Sequence, residues 1–97
     1  MQKTPLNRFA ITSLADVDRW IRDQPCMPLS RRALLQKAIR CTALWVGRPA
    51  SQISADPEEL HRLFALLCAR DLRVQNKTFA NVRAAVLAAV RTAGSNA

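Results

Sequence analysis

Apolar residues recur along this chain at three- and four-residue steps, and each run is closed off by proline, glycine or a short polar side chain. A helix turns every third or fourth residue to one side, whereas a half-buried strand alternates, so this spacing predicts helices. Only two glycines occur, Gly47 and Gly94. The 97 residues, 49% of them apolar, suffice for one core and not for two. The expectation is a single all-α domain. Arg, Lys or Gln interrupts the apolar runs well short of the ~20 residues needed to span a bilayer, and no basic-apolar-small leader precedes them. A soluble, cytoplasmic protein is expected.

Local signals divide the chain. Residues 1–12 lack a helical period and are expected to form a flexible arm or linker remnant. Ser13, with Asp16 three residues on, caps a first helix over 13–23 whose stripe is Leu14, Val17, Trp20 and Ile21. Pro25 and Pro28 bracket the turn that follows. Ser30 is the expected cap of a second helix, 30–46, which stops at Gly47 with Pro49 beyond. Leu34, Ala38, Cys41 and Trp45 line up as its core face, flanked by Leu35, Thr42 and Val46, with Arg32, Gln36 and Arg40 on the opposite arc and Lys37 at its edge. Asp56-Pro57 followed by Glu59 reads as a capping box opening a third helix, 57–70, with a stripe of Leu60, Leu63, Phe64 and Leu67. Asn76 is the expected cap of a fourth, 77–93, burying Phe79, Val82, Val86 and Val90. Lys77, Asn81, Ala84, Ala88 and Arg91 fall on its other side, where Ala84, Ala85 and Ala88 keep the surface low. Residues 94–97 are expected to be a tail.

Charge is distributed unevenly. The net charge is +8. Between Gln24 and Ala55 stand Arg31, Arg32, Lys37, Arg40 and Arg48 without an acid, and from Leu72 onward Arg73, Lys77, Arg83 and Arg91, again without one. All seven acids lie in or beside the first and third helices. Two basic helices beside two balanced or acidic ones would suit a polyanion bound on one side, although solvated helix faces are ordinarily charged.

Little points to catalysis or metal binding. Cys26, Cys41 and Cys68 lack the close spacing of a zinc site and read as buried, reduced thiols. His61 is the only histidine; Glu58 and Glu59 beside it could share a metal, but first-turn glutamates next to one imidazole fit an ordinary surface helix. No nucleophile stands at helical spacing from His61 and no Gly-rich loop accompanies it, so neither a hydrolase nor a cofactor is expected.

The stretch RRALLQKAIRCTALWVGRPASQIS (31–54), the DPEEL that follows, and QNKTFANVRAAVLAAVR (75–91) with its Lys77-Thr78 pair resemble the N-terminal core-binding domain of tyrosine recombinases of the phage-integrase type. The resemblance covers roughly residues 13–93. It implies a SAM-like orthogonal bundle of four helices that clamps double-stranded DNA, with the second and fourth helices toward the major groove. It further implies DNA contacts for Arg32, Gln36, Arg40, Lys77, Thr78 and Asn81, to which the acid-free segments add Arg31 and Arg91, and a C-terminal catalytic domain or other recombinase protomers as partners. The chain contains no tyrosine, so the family's covalent phosphotyrosine chemistry cannot occur in it. The alternative is a SAM-like helical protein–protein interaction module, for which Trp20 is a candidate anchor if exposed, although core is the commoner role at its position.

Overall fold

The computed structural model of the chain describes residues 11–96. They form an all-α bundle of four helices: α1 (Leu14–Arg22), α2 (Leu29–Val46), α3 (Pro57–Leu66) and α4 (Asn76–Asn96), with a 3-10 turn at Ala50–Gln52. No helix among them is long and apolar enough to cross a membrane. Of the expected arm, residues 1–10 lie outside the described region. Ile11 packs against the core, and Thr12 accepts a backbone hydrogen bond from Ala55 at 3.1 Å, so the fold begins earlier than expected.

α1 starts where its capping box predicts. The Ser13 hydroxyl accepts from the Asp16 N–H at 3.3 Å, and the Asp16 carboxylate accepts from the Ser13 N–H at 3.1 Å. The N–H and hydroxyl of Thr12 reach the same carboxylate oxygen, each at 3.0 Å. An isolated antiparallel bridge between Ser13 and Ser54 then ties this end of α1 to the segment ahead of α3.

α2 departs from expectation at its start and around its axis. The residue ahead of the helix is Pro28, whose carbonyl accepts the Arg32 N–H at 2.9 Å, so Ser30 lies within the first turn and caps nothing. The buried residues are Leu35, Ala38, Ile39 and Thr42, while Leu34 is 52% exposed and Cys41 and Trp45 are half-buried. The helix is therefore turned by about one residue, roughly 100°, from the expected face. Ile39, absent from the expected stripe, is buried with Leu35, Ala38 and Thr42. Buried Thr42 satisfies its hydroxyl by donating to the Ala38 carbonyl at 2.9 Å. At the far end Gly47 adopts the left-handed conformation, φ +77°, and donates to the Ala43 carbonyl at 2.9 Å, as the Gly47–Pro49 signal predicts.

The α3 cap is only half of a capping box. Asp56 accepts from the Glu59 N–H at 3.2 Å, but the reciprocal bond runs through Ser54, whose hydroxyl donates to Glu59 at 3.2 Å and accepts from the Asp56 N–H at 3.1 Å. α3 ends at Leu66 rather than at residue 70. Leu67 is extended, and a separate turn carries the chain to α4, held by Leu72 N–H to Cys68 O and Val74 N–H to Ala69 O. α4 opens on a bond from the Phe79 N–H to the Gln75 carbonyl, so Asn76 is its first residue and not its cap. It runs through Gly94 to Asn96, because Gly94 lacks the positive φ with which glycine ends a helix.

The core joins Leu14, Val17 and Ile21 of α1 to Leu35 and Ile39 of α2, Leu60 and Phe64 of α3, and Val86, Ala89, Val90 and Ala93 of α4. Phe79, Val82 and Trp20 pack against it from the side, so Trp20 is a core-edge residue. Both α1 and α2 pack on α4, and α2 makes the most extensive contact with it. The thiols differ from expectation. Cys68 lies past the end of α3 and is exposed, Cys26 in the α1–α2 loop is exposed, and Cys41 has turned outward with Leu34; none forms a disulfide.

Candidate interaction surface

The rotation of α2 decides what the molecule shows to solvent. Eleven of its eighteen residues are apolar, more than one buried face can use. Leu34 and Leu44, 52% and 79% exposed, are left on the outer side. They stand ten residues apart, about 15 Å along the axis, and Lys37 and Cys41 lie between them within an arc of about 80°.

Beside Leu44 the surface dips into a groove of about 600 Å³ between α1, α2 and the turn at 47–50. The groove stays open because Ala15, Ala43, Gly47 and Ala50, which line it, are small. Arg40 and Arg48 border it, as does Asp18, whose carboxylate is already held by Arg22 at 2.9 Å.

Among the described residues, ion pairs occur within α1 and α3, whereas the exposed cations of α2 and α4 alike have none. Among the described residues the ion pairs are Arg19–Asp16 at 3.9 Å, Arg22–Asp18 at 2.9 Å and Arg62–Glu58 at 3.7 Å, each within a single helix, α1 or α3. Asp16 and Asp18 of α1 and Glu58 of α3 are thus matched by neighbouring arginines, while Glu59 accepts from the Ser54 hydroxyl. Lys37, Arg40 and Arg48 have no carboxylate within salt-bridge distance among the described residues. Asp16 is held below the usual carboxylate range, chiefly by the Thr12 N–H, with further bonds from the Thr12 side chain and from Ser13, against the opposing effect of burial.

The residues expected to face DNA are not all presented alike. Arg31 and Arg40 are exposed, and Gln36 is half-buried. Arg32 is turned inward: its guanidinium donates to the carbonyls of Gln24 and, at 3.4 Å, Met27. Lys77, Thr78 and Asn81 are exposed in the first two turns of α4. Arg91, about 21 Å further along that helix, borders a different pocket with Glu58, His61 and Arg62. Ala84 is exposed, but Ala85 packs against the core rather than lowering an outer surface. Among the described residues no group of three or more His, Cys, Asp or Glu is placed to hold a metal, His61 with Glu58 and Glu59 included.

Arg48, Leu34 and Leu44 were not among the expected site residues. The surplus of apolar positions on α2 is the sequence signal that points to the two leucines. No family model, curated protein or solved structure matches the chain. The DNA-binding, DNA-integration and tyrosine-recombinase reading drawn from the motif resemblance therefore has no match to support it and is withdrawn.

Proposed function

We propose that this chain is a SAM-like helical module that docks a protein partner on the outer face of α2. One observation carries the reading: α2 leaves Leu29, Leu34 and Leu44 exposed, and Leu44 continues into a groove wall of Ile39, Ala43, Pro49 and Ala50. A contiguous exposed apolar patch rimmed by polar residues is a common mark of a protein-binding surface. Trp20, the anchor first considered, packs against the core and is not available for that role.

The test is a selection of random displayed peptides against the 97-residue chain, followed by affinity measurements on Leu34→Ser and Leu44→Ser. Both positions are exposed, so the substitutions should leave thermal stability within about 0.5 kcal/mol. Selected peptides should lose at least about tenfold in affinity on the double variant, about 1.4 kcal/mol. Equal binding to both proteins, or an enrichment of no peptide at all, would overturn the reading.

A further inference from the structure

Resting on that reading, we infer that the groove between α1, α2 and the 47–50 turn receives an acidic amphipathic helix of the partner, with apolar side chains beside Leu44 and carboxylates at Arg40 and Arg48. Two features of the groove select this occupant. At about 600 Å³ it is an open surface trough, which would cover little of a small molecule but can seat one face of a helix. The small residues Ala15, Ala43, Gly47 and Ala50 allow an object as wide as a helix to approach closely.

Charge then settles the sign of the partner. Arg40 and Arg48 border the trough without a carboxylate of their own, while Asp18 on the α1 side is neutralised by Arg22 at 2.9 Å. A partner bearing Asp or Glu beside its apolar stripe meets unpaired guanidiniums, and a lysine-bearing one meets repulsion. A second copy of this chain is disfavoured for the same reason, since its own α2 face carries Lys37 and Arg40. Arginine also suits the task because its planar fork binds a carboxylate through two parallel hydrogen bonds.

The inference is tested with three synthetic helical peptides sharing one leucine stripe and flanked by Glu, Gln or Lys, titrated into the isotope-labelled 97-residue chain. The Glu peptide should bind at least about tenfold more tightly than the Gln peptide, weaken as salt is raised, and shift the amide signals of Ala15, Ala43, Leu44 and Ala50. Arg40→Glu with Arg48→Glu should reverse the preference toward the Lys peptide, whereas Lys77→Glu with Arg91→Glu on α4 should change affinity less than about twofold. Equal affinity for the Glu and Gln peptides, with shifts confined to Leu34 and Cys41, would overturn the groove assignment and leave the protein-docking reading standing. Binding of none of the peptides, with tight binding of duplex DNA instead, would overturn both. Equal losses from the α2 and α4 reversals would show that only total charge matters, and that too would overturn the groove.

Discussion

The indole of Trp45 lies nearly parallel to the ring of Phe79, with 5.5 Å between centroids and 21° between planes. Phe79 in turn meets Phe64 edge-on at 6.0 Å and 83°. This run of three rings connects α2, α4 and α3, and it grades from half-buried at Trp45 to almost fully buried at Phe64, 2% exposed. Stability losses should follow that gradient. Phe64→Ala should cost about 3–5 kcal/mol and Trp45→Ala about 1–2 kcal/mol, because a partly exposed ring loses its stacking but leaves no closed cavity. Urea unfolding of the two variants checks the order, which a larger loss at Trp45 would reverse.

Arg32 and Arg31 are neighbours with different work. Arg32 sends its guanidinium back to the loop carbonyls of Gln24 and Met27, while Arg31 is exposed. Hydrogen bonds from a charged donor contribute about 1.5–3 kcal/mol. Allowing for partial exposure, Arg32→Met should destabilise the fold by about 1–2 kcal/mol and Arg31→Ala by less than about 0.5 kcal/mol. Arg32→Lys should rescue only part of the loss, because both bonds come from the terminal Nη2 and the lysine ammonium sits one bond shorter on its stem. Thermal denaturation of the three proteins distinguishes these roles.

Asp16 gathers the N–H groups of Thr12 and Ser13 and the Thr12 hydroxyl on one oxygen, which lowers its pKa in the folded state. Its contribution is present above the unfolded value, 3.8, and is lost as pH falls through the still lower folded value. Asp16→Ala should therefore cost about 1 kcal/mol at neutral pH. The gap from the parent protein should narrow as pH falls below 3.8 and the parent's carboxylate protonates. Denaturant unfolding across that range tests this; a gap that widens on acidification would contradict it.

Two residues of the described chain have left-handed backbone, Gly47 at φ +77° and Arg73 at φ +59°. A side chain at position 47 would meet nothing within 4 Å, so Gly47→Ala isolates the backbone cost, about 1 kcal/mol. Arg73→Gly removes that same cost from the turn before α4 while loosening the unfolded chain, and should be neutral or stabilising by up to about 1 kcal/mol. Melting temperatures should therefore move down for the first and hold or rise for the second.

Four helices and most of their punctuation are legible in the sequence because caps and stop signals are settled within three or four residues. Ser13 with Asp16, Asp56 with Pro57, and Gly47 before Pro49 each act through hydrogen bonds or dihedral preferences that their immediate neighbours supply. The end of α3 is not legible in that way, since Leu66 and Leu67 both suit a helix and only the route to α4 requires the break between them. Nor is the face of α2. The apolar set Leu34, Ala38, Cys41 and Trp45 and the set Leu35, Ile39, Thr42 and Val46 have the same helical spacing and differ by one residue of rotation. Periodicity cannot choose between two such stripes. Packing of α1 and α4 against one side of the helix, together with Arg32 reaching back to the loop, selects the second set. That choice turns Leu34 and Leu44 to solvent and sets Arg40 and Arg48 beside a single groove. The composition of α2 is thus written in the chain, but which side of it faces solvent is decided by contacts between residues far apart in sequence.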